Sequence, residues 1–139
     1  MNQTAIFWPM IAQAFLTFVA YSVMYRRRVG AVMSGAAKPR QFERRGEEPA
    51  ASETAASNVL NQFELPVLFY AVVLALYVTN GVSYVAVTLA WLFVISRCVH
   101  ASVHMGSNKV LLRRNLFMVG FAVVVVLWLW FALHIAGLV

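Results

Sequence analysis

The sequence predicts an all-α integral membrane protein of four transmembrane helices, and three observations carry that reading. The chain of 139 residues has a mean hydropathy of +0.75 and only 12% charged side chains, where a soluble domain typically carries about 25%. Its apolar residues gather into four blocks, at about 5–25, 59–79, 82–103 and 116–138. Each block is about 20 residues long, which at about 1.5 Å per residue matches a hydrocarbon core about 30 Å thick. Backbone groups in lipid must pair internally, so each block is expected to be a helix. Together they predict one membrane domain over 1–139, packed as a left-handed antiparallel bundle.

The first block is a membrane helix and not a secretory signal. "MNQTAIFWPM" has no basic side chain, and the positive cluster "YRRRVG" follows the apolar run where a signal peptide would have it in front. Gln13, Thr17 and Tyr21, at i, i+4 and i+8, give this helix a polar face that should point inward. The connection at about 26–57 contains "SGAAKPRQFERRGEEPAASETAAS", rich in small residues and in both charge signs, with no sustained apolar period. It reads as a mobile loop with at most a short helical piece. The second block holds Pro66, which frees the carbonyl of Gln62 and loosens the helix there. Asn80–Gly81 marks a tight turn, making the second and third spans a hairpin. The lone Cys98 has no disulfide partner and reads as a small buried residue of span three. The fourth block is almost continuously apolar and should face lipid or a neighbour; His134 near its end reads as an interfacial residue.

The net charge of +6 is unevenly placed, and this sets the expected topology. Arg26, Arg27, Arg28, Lys38, Arg40, Arg44 and Arg45 lie between the first two blocks; Lys109, Arg113 and Arg114 lie between the last two. With four spans both basic connections fall on one face, which should be cytoplasmic, and both termini on the opposite side. Phe7, Trp8, Tyr77, Tyr84, Trp128 and Trp130 fall toward the outer boundary and Tyr21 and Tyr25 toward the inner one, as expected of an aromatic belt. The basic surplus fits anionic lipid headgroups. No motif for binding nucleic acid accompanies it.

Ionisable groups inside a span are costly and usually face a bundle interior or a wet cavity. Here they are few. Asn61 and Glu64, at i and i+3, share one side of span two; Arg97, His100 and His104, at i, i+3 and i+7, make a stripe on span three. Glu64 and Arg97 lie at similar depth on hairpin neighbours, so an ion pair between them is expected. The two stripes would meet as a wet, positively biased cleft near the basic face. His100 and His104 have the spacing of a helical metal pair, but no third ligand completes a motif, and no metal is assigned.

At "NxxExPxLFY", here Asn61, Glu64, Pro66, Leu68, Phe69 and Tyr70, the chain resembles the MAPEG family of membrane-associated proteins in eicosanoid and glutathione metabolism. "SRCVHASVH" resembles the family's R-x-x-H/Y segment at Arg97 and His100. Four spans and a long first connection fit as well. The resemblance implies a homotrimer of four-helix bundles with glutathione as co-substrate, held between subunits near the cytoplasmic face, and a lipophilic substrate arriving from the bilayer. It implies that Asn61, Glu64, Arg97, His100 and His104 contact the peptide, Glu64 receiving its amino group. Arg26 or Arg27, with Arg113 or Arg114, would supply positive charge, Arg113 in the catalytic role of favouring the thiolate. The eicosanoid enzymes carry Arg and Tyr where this chain has Ser57 and Leu65, and Leu111 sits at the best-matching arginine position in span four.

Three functions stay open at this point. One is an enzyme that conjugates or reduces lipophilic electrophiles with glutathione. Another is a catalytically silent member of the same fold. The third is a small proton-coupled exporter, although exporters of this size place their acid in the first span and have very short loops. Response to glutathione separates the first two, and Glu64-dependent proton release would mark the third.

Overall fold

The computed structural model describes residues 2–44 and 46–139. A 3₁₀ turn, Gln3–Ile6, leads into α1 (Phe7–Met33). A second 3₁₀ turn, Pro39–Phe42, precedes α2 (Ala50–Asn61), α3 (Leu65–Val78), α4 (Tyr84–Met105) and α5 (Val110–Ile135). No strand occurs among the described residues. Four helical segments, Gln3–Met33, Ala50–Val78, Tyr84–Met105 and Val110–Ile135, are long and apolar enough to cross a bilayer. The protein is a multi-pass integral membrane protein.

Local chemistry sets the ends. Asn2 Oδ1 accepts from the Thr4 amide at 3.0 Å, and Ser83 Oγ accepts from the Ala86 amide at 3.2 Å, each satisfying a donor that a helix start leaves open. Past α1 the chain turns at Gly35, whose φ of +74° suits a residue without Cβ. The second span is interrupted at Gln62–Glu64. Pro66 has no amide to offer the Gln62 carbonyl and sits in the first turn of α3, where proline fits. The loosening expected at this proline is therefore a full break, with Glu64 at φ −99° and ψ −103°.

The helices outrun the expected boundaries. The connection read as a loop over 26–57 is helical at both ends, because α1 continues to Met33 and α2 begins at Ala50. Arg27 explains how these extensions hold together. Its guanidinium donates to the Ala51 carbonyl at 2.8 Å, to Thr54 Oγ1 at 3.3 Å and to the Met105 carbonyl at 2.6 Å, tying α1 to α2 and to the end of α4. Carbonyls at a helix C-terminus favour such a cation. Beyond it, Arg28 grips Glu48 through contacts of 2.7 and 3.0 Å, and Phe42 lies over the same guanidinium at 5.3 Å. The hydrogen bond from Arg28 holds the Glu48 carboxyl below its ordinary pKa.

The core runs between α3, α4 and α5. Phe69 stacks on Phe93 with centroids 4.5 Å apart, among Val72, Val73, Leu76, Val124 and Leu127, all buried. Ala86 and Ala90 on α4 are fully covered; small residues there let backbones approach, which matters where lipid is as apolar as the core. Cys98 corrects the sequence reading, since it is exposed on the outside of α4. Tyr21 is also turned outward, 44% exposed, so only Gln13 of the expected polar face is fully buried.

His134 has a structural task at the far end of the bundle. Its Nε2 donates to the Thr79 carbonyl at 3.1 Å, fastening α5 to the turn after α3. A Cβ at Gly81 would meet that ring at 2.4 Å. Gly81→Ala must displace the imidazole and forfeit its hydrogen bond, a loss of about 1 kcal/mol. In a His134→Ala background the same change should cost almost nothing, measurable as paired thermal midpoints in detergent.

Candidate functional site

Toward the basic end, α2, α4 and α5 enclose a set of polar side chains built around α4. Arg97, His100 and His104 are 0%, 2% and 2% exposed, so the stripe anticipated on span three does face inward. Each reaches a different neighbour. Arg97 Nη2 donates to the Asn61 carbonyl at 3.1 Å, where the end of α2 leaves that oxygen without a helical partner. His100 Nδ1 donates to the Arg113 carbonyl on α5 at 3.2 Å. His104 Nδ1 lies 3.4 Å from Asn58 Nδ2 and serves as its acceptor.

These partners fix the imidazole tautomers, since a neutral ring has one donor and one acceptor. His100 carries its proton on Nδ1, leaving Nε2 as an acceptor. His104 carries its proton on Nε2. The donor to His104, Asn58, is the last link of a one-way chain: Gln13 Nε2 donates to Gln62 Oε1 at 3.0 Å, Gln62 Nε2 to Asn58 Oδ1 at 3.1 Å, and Asn58 to His104. Sequence reasoning missed Asn58 and Gln62. Their i, i+4 spacing, matched by Gln13 on the first span, is the signal that could have found them.

Four buried polar atoms of this region have no partner: Arg97 Nε, Arg97 Nη1, His100 Nε2 and Gln13 Oε1. A buried guanidinium with open donors is expensive, and in functional proteins such donors are usually met by a ligand or water. Phe117 stands beside both groups, its ring 5.9 Å from the Arg97 guanidinium carbon and 5.9 Å from the His100 ring. The same Phe117 lines an open groove of about 340 Å³ with Asn61, Val110, Arg113 and Arg114. Two cations on the wall and a third behind it make the groove suited to an anionic group. Gly120 gives the Arg97 stem its room, because a Cβ there would lie 3.6 Å from Arg97 Cδ and 3.1 Å from Ser96 Oγ.

The remaining sequence candidates are placed as follows. Arg113 is half-exposed on the groove wall, donating to Asn108 Oδ1 at 2.7 Å. The Asn61 side chain donates to the Ser57 carbonyl at 2.9 Å. Arg26 is exposed, and Arg27 is taken up by its helix contacts. Glu64 corrects the sequence reading. It is exposed at the helix break and makes no direct ion pair with Arg97, although its charge still bears on that guanidinium; the only ion pair among the described residues is Arg28–Glu48. Around it lie the exposed apolar side chains Leu60, Phe63, Val67 and Leu68.

No individual curated protein and no solved structure matches the chain. A family model does, and it aligns with residues 6–133, from the start of the first span to near the end of the last. With four spans, a proline-broken second helix and a buried Arg97–His100 pair at the groove, the chain belongs to the MAPEG family.

Proposed function

We propose that this protein conjugates or reduces lipophilic electrophiles with glutathione, as a homotrimer whose basic face is cytoplasmic. The observation that carries the reading is the pair of unpartnered Arg97 donors directly behind the Asn61–Arg113 groove. A glutathione carboxylate supplies the acceptors that Arg97 lacks, with Arg114 on the rim. Arg113 is the group that favours the thiolate: a free thiol ionises near pH 8.5 at about neutral surroundings, and an adjacent guanidinium lowers that value. In conjugation the thiolate sulfur forms a bond to the electrophilic carbon while the carbon–halogen bond breaks and halide departs. The thiol proton is lost to water.

Glu64 supports the oligomeric part of the reading. A carboxylate set among exposed Leu60, Phe63, Val67 and Leu68 is badly placed against acyl chains and well placed against a second subunit. In a trimer it would meet the amino group of a peptide bound at a neighbour's groove. Arg27, already committed to three acceptors, takes a structural role in this reading, and Arg26, exposed on α1, lines no part of the groove.

The test is calorimetric titration of glutathione into detergent-solubilised wild type and Glu64→Gln, with an aryl halide assay alongside. Wild type should bind and form conjugate, and Glu64→Gln should bind about 10-fold more weakly, the loss of one charge-assisted hydrogen bond. Binding without conjugate would leave a silent glutathione-binding member. No heat and no conjugate would overturn the reading.

A further inference from the structure

The extension of α1 past the rest of the bundle creates a surface that the groove at Asn61 does not use. α4, at 22 residues, is about 33 Å long and by itself matches the hydrocarbon core. Its last residue, Met105, is bonded to Arg27, so Arg27 marks the level at which the core ends. Residues 28–33 of α1 therefore stand in the headgroup layer, yet they include Val29, Val32 and Met33, the last 84% exposed. The Pro39–Phe42 turn folds back along this stretch. The eclipsed i and i+3 positions of a 3₁₀ turn put Pro39 and Phe42 on the same side. Between turn and helix lies a groove of about 290 Å³, lined by Tyr25, Arg28, Val29, Val32, Met33, Pro39 and Phe42.

The walls of this groove are apolar at a depth where the surroundings are not, and its margins are cationic. Arg26 shares the helix face of Val29 and Met33, at i+3 and i+7; Lys38 and Arg40 flank Pro39; Arg44 follows Phe42. All four are exposed, while Glu43 is the one acid among the described residues from 26 to 44. Arg28 lends no charge to this margin, being held by Glu48, and the same clasp keeps Phe42 in place over it. A ligand that matches has an acyl chain for the walls and a phosphate for the rim.

We propose that this groove is a binding site for one anionic glycerophospholipid, its acyl chain along Val32, Met33 and Phe42 and its phosphate between Arg26, Lys38 and Arg40. The site is independent of the glutathione reading. It lies at the strap between the first two spans, beyond the level of Arg97 and the α5 groove. Its lipid also explains why apolar side chains at the end of α1 are tolerated without a protein cover.

The experiment uses the full chain in detergent, titrated with phosphatidylglycerol and with phosphatidylcholine of the same acyl chains, and reads bound lipid by native mass spectrometry. Phosphatidylglycerol should bind about 30- to 150-fold more tightly, the preference expected when two or three basic residues engage one headgroup. Lys38→Glu with Arg40→Glu, both surface changes, should bring the two lipids to parity. Val32→Trp, which fills the groove and leaves the rim charges alone, should weaken both lipids by a similar factor; an unchanged thermal midpoint confirms that the fold survives. Equal affinity for the two lipids in wild type would overturn the proposal. So would an anionic preference that survives the double charge reversal, or one indifferent to Val32→Trp.

Discussion

Arg97→Met is expected to weaken glutathione binding severely while leaving the protein at least as stable as wild type. Arg97 is fully buried, makes one hydrogen bond to the Asn61 carbonyl, and leaves two of its donor nitrogens unpartnered. A cation that costs this much to bury contributes little to folding, and replacement of buried ions by apolar groups of similar volume is often neutral or stabilising by about 1–4 kcal/mol. Methionine is shorter but unbranched, and its flexible stem suits the irregular space under Phe117. Binding should fall about 10- to 100-fold, because a hydrogen bond to a charged group contributes about 1.5–3 kcal/mol. The decisive readout is the pair of measurements, thermal midpoint and calorimetric titration, on one preparation. A midpoint that collapses with binding would make Arg97 a structural tether of α4 to α2. Arg97→Lys should recover little, since a point charge on a shorter stem cannot serve the Asn61 carbonyl and a carboxylate together.

How much of this site could be read from residues alone depended on periodicity. The stripe of Arg97, His100 and His104 was legible because α4 is an uninterrupted helix, so positions i, i+3 and i+7 do share a face. Asn61 and Glu64 obey the same spacing, yet Asn61 is half-buried and Glu64 exposed. The rule assumes a continuous helix, and the chain breaks between them at Gln62–Glu64. Pro66 signalled a weakness there but not its size, which depends on whether Gln62 finds other partners, and those lie on distant helices. The expected Glu64–Arg97 ion pair does not close to direct contact for the same reason, since the break takes Glu64 out of the register of a continuous helix while its charge still bears on Arg97. The length of the first connection misled in another way. Alanine-rich "AASETAAS" has high helix propensity and no apolar stripe, so it carries no periodic signal until Arg27 gives it something to pack against. The fold class itself needed only hydropathy, because lipid leaves a chain few alternatives to a helix.

The second large effect is expected from Gln62→Leu. Gln62 accepts from Gln13 and donates to Asn58, so it joins the first span to α2 at the first residue of the break that positions Glu64. Leucine removes both bonds and strands the Gln13 amide donor and the Asn58 carbonyl oxygen in a dry interior. At about 1–3 kcal/mol for each orphaned group, the single change should cost about 2–6 kcal/mol. Adding Gln13→Leu removes one of the two orphans, along with the Gln13 Oε1 that already has no partner in the wild type. The double variant should therefore be more stable than Gln62→Leu alone, a reversal that independent contributions cannot give. If the two changes simply add, the chain from Gln13 to His104 is a set of separate contacts. The reversal would instead make it one cooperative unit running from Gln13 across the helix break to His104. That unit would then set the geometry of Asn61, whose carbonyl is where Arg97 is anchored, so Gln62→Leu should weaken glutathione binding even though Gln62 lines no part of the groove.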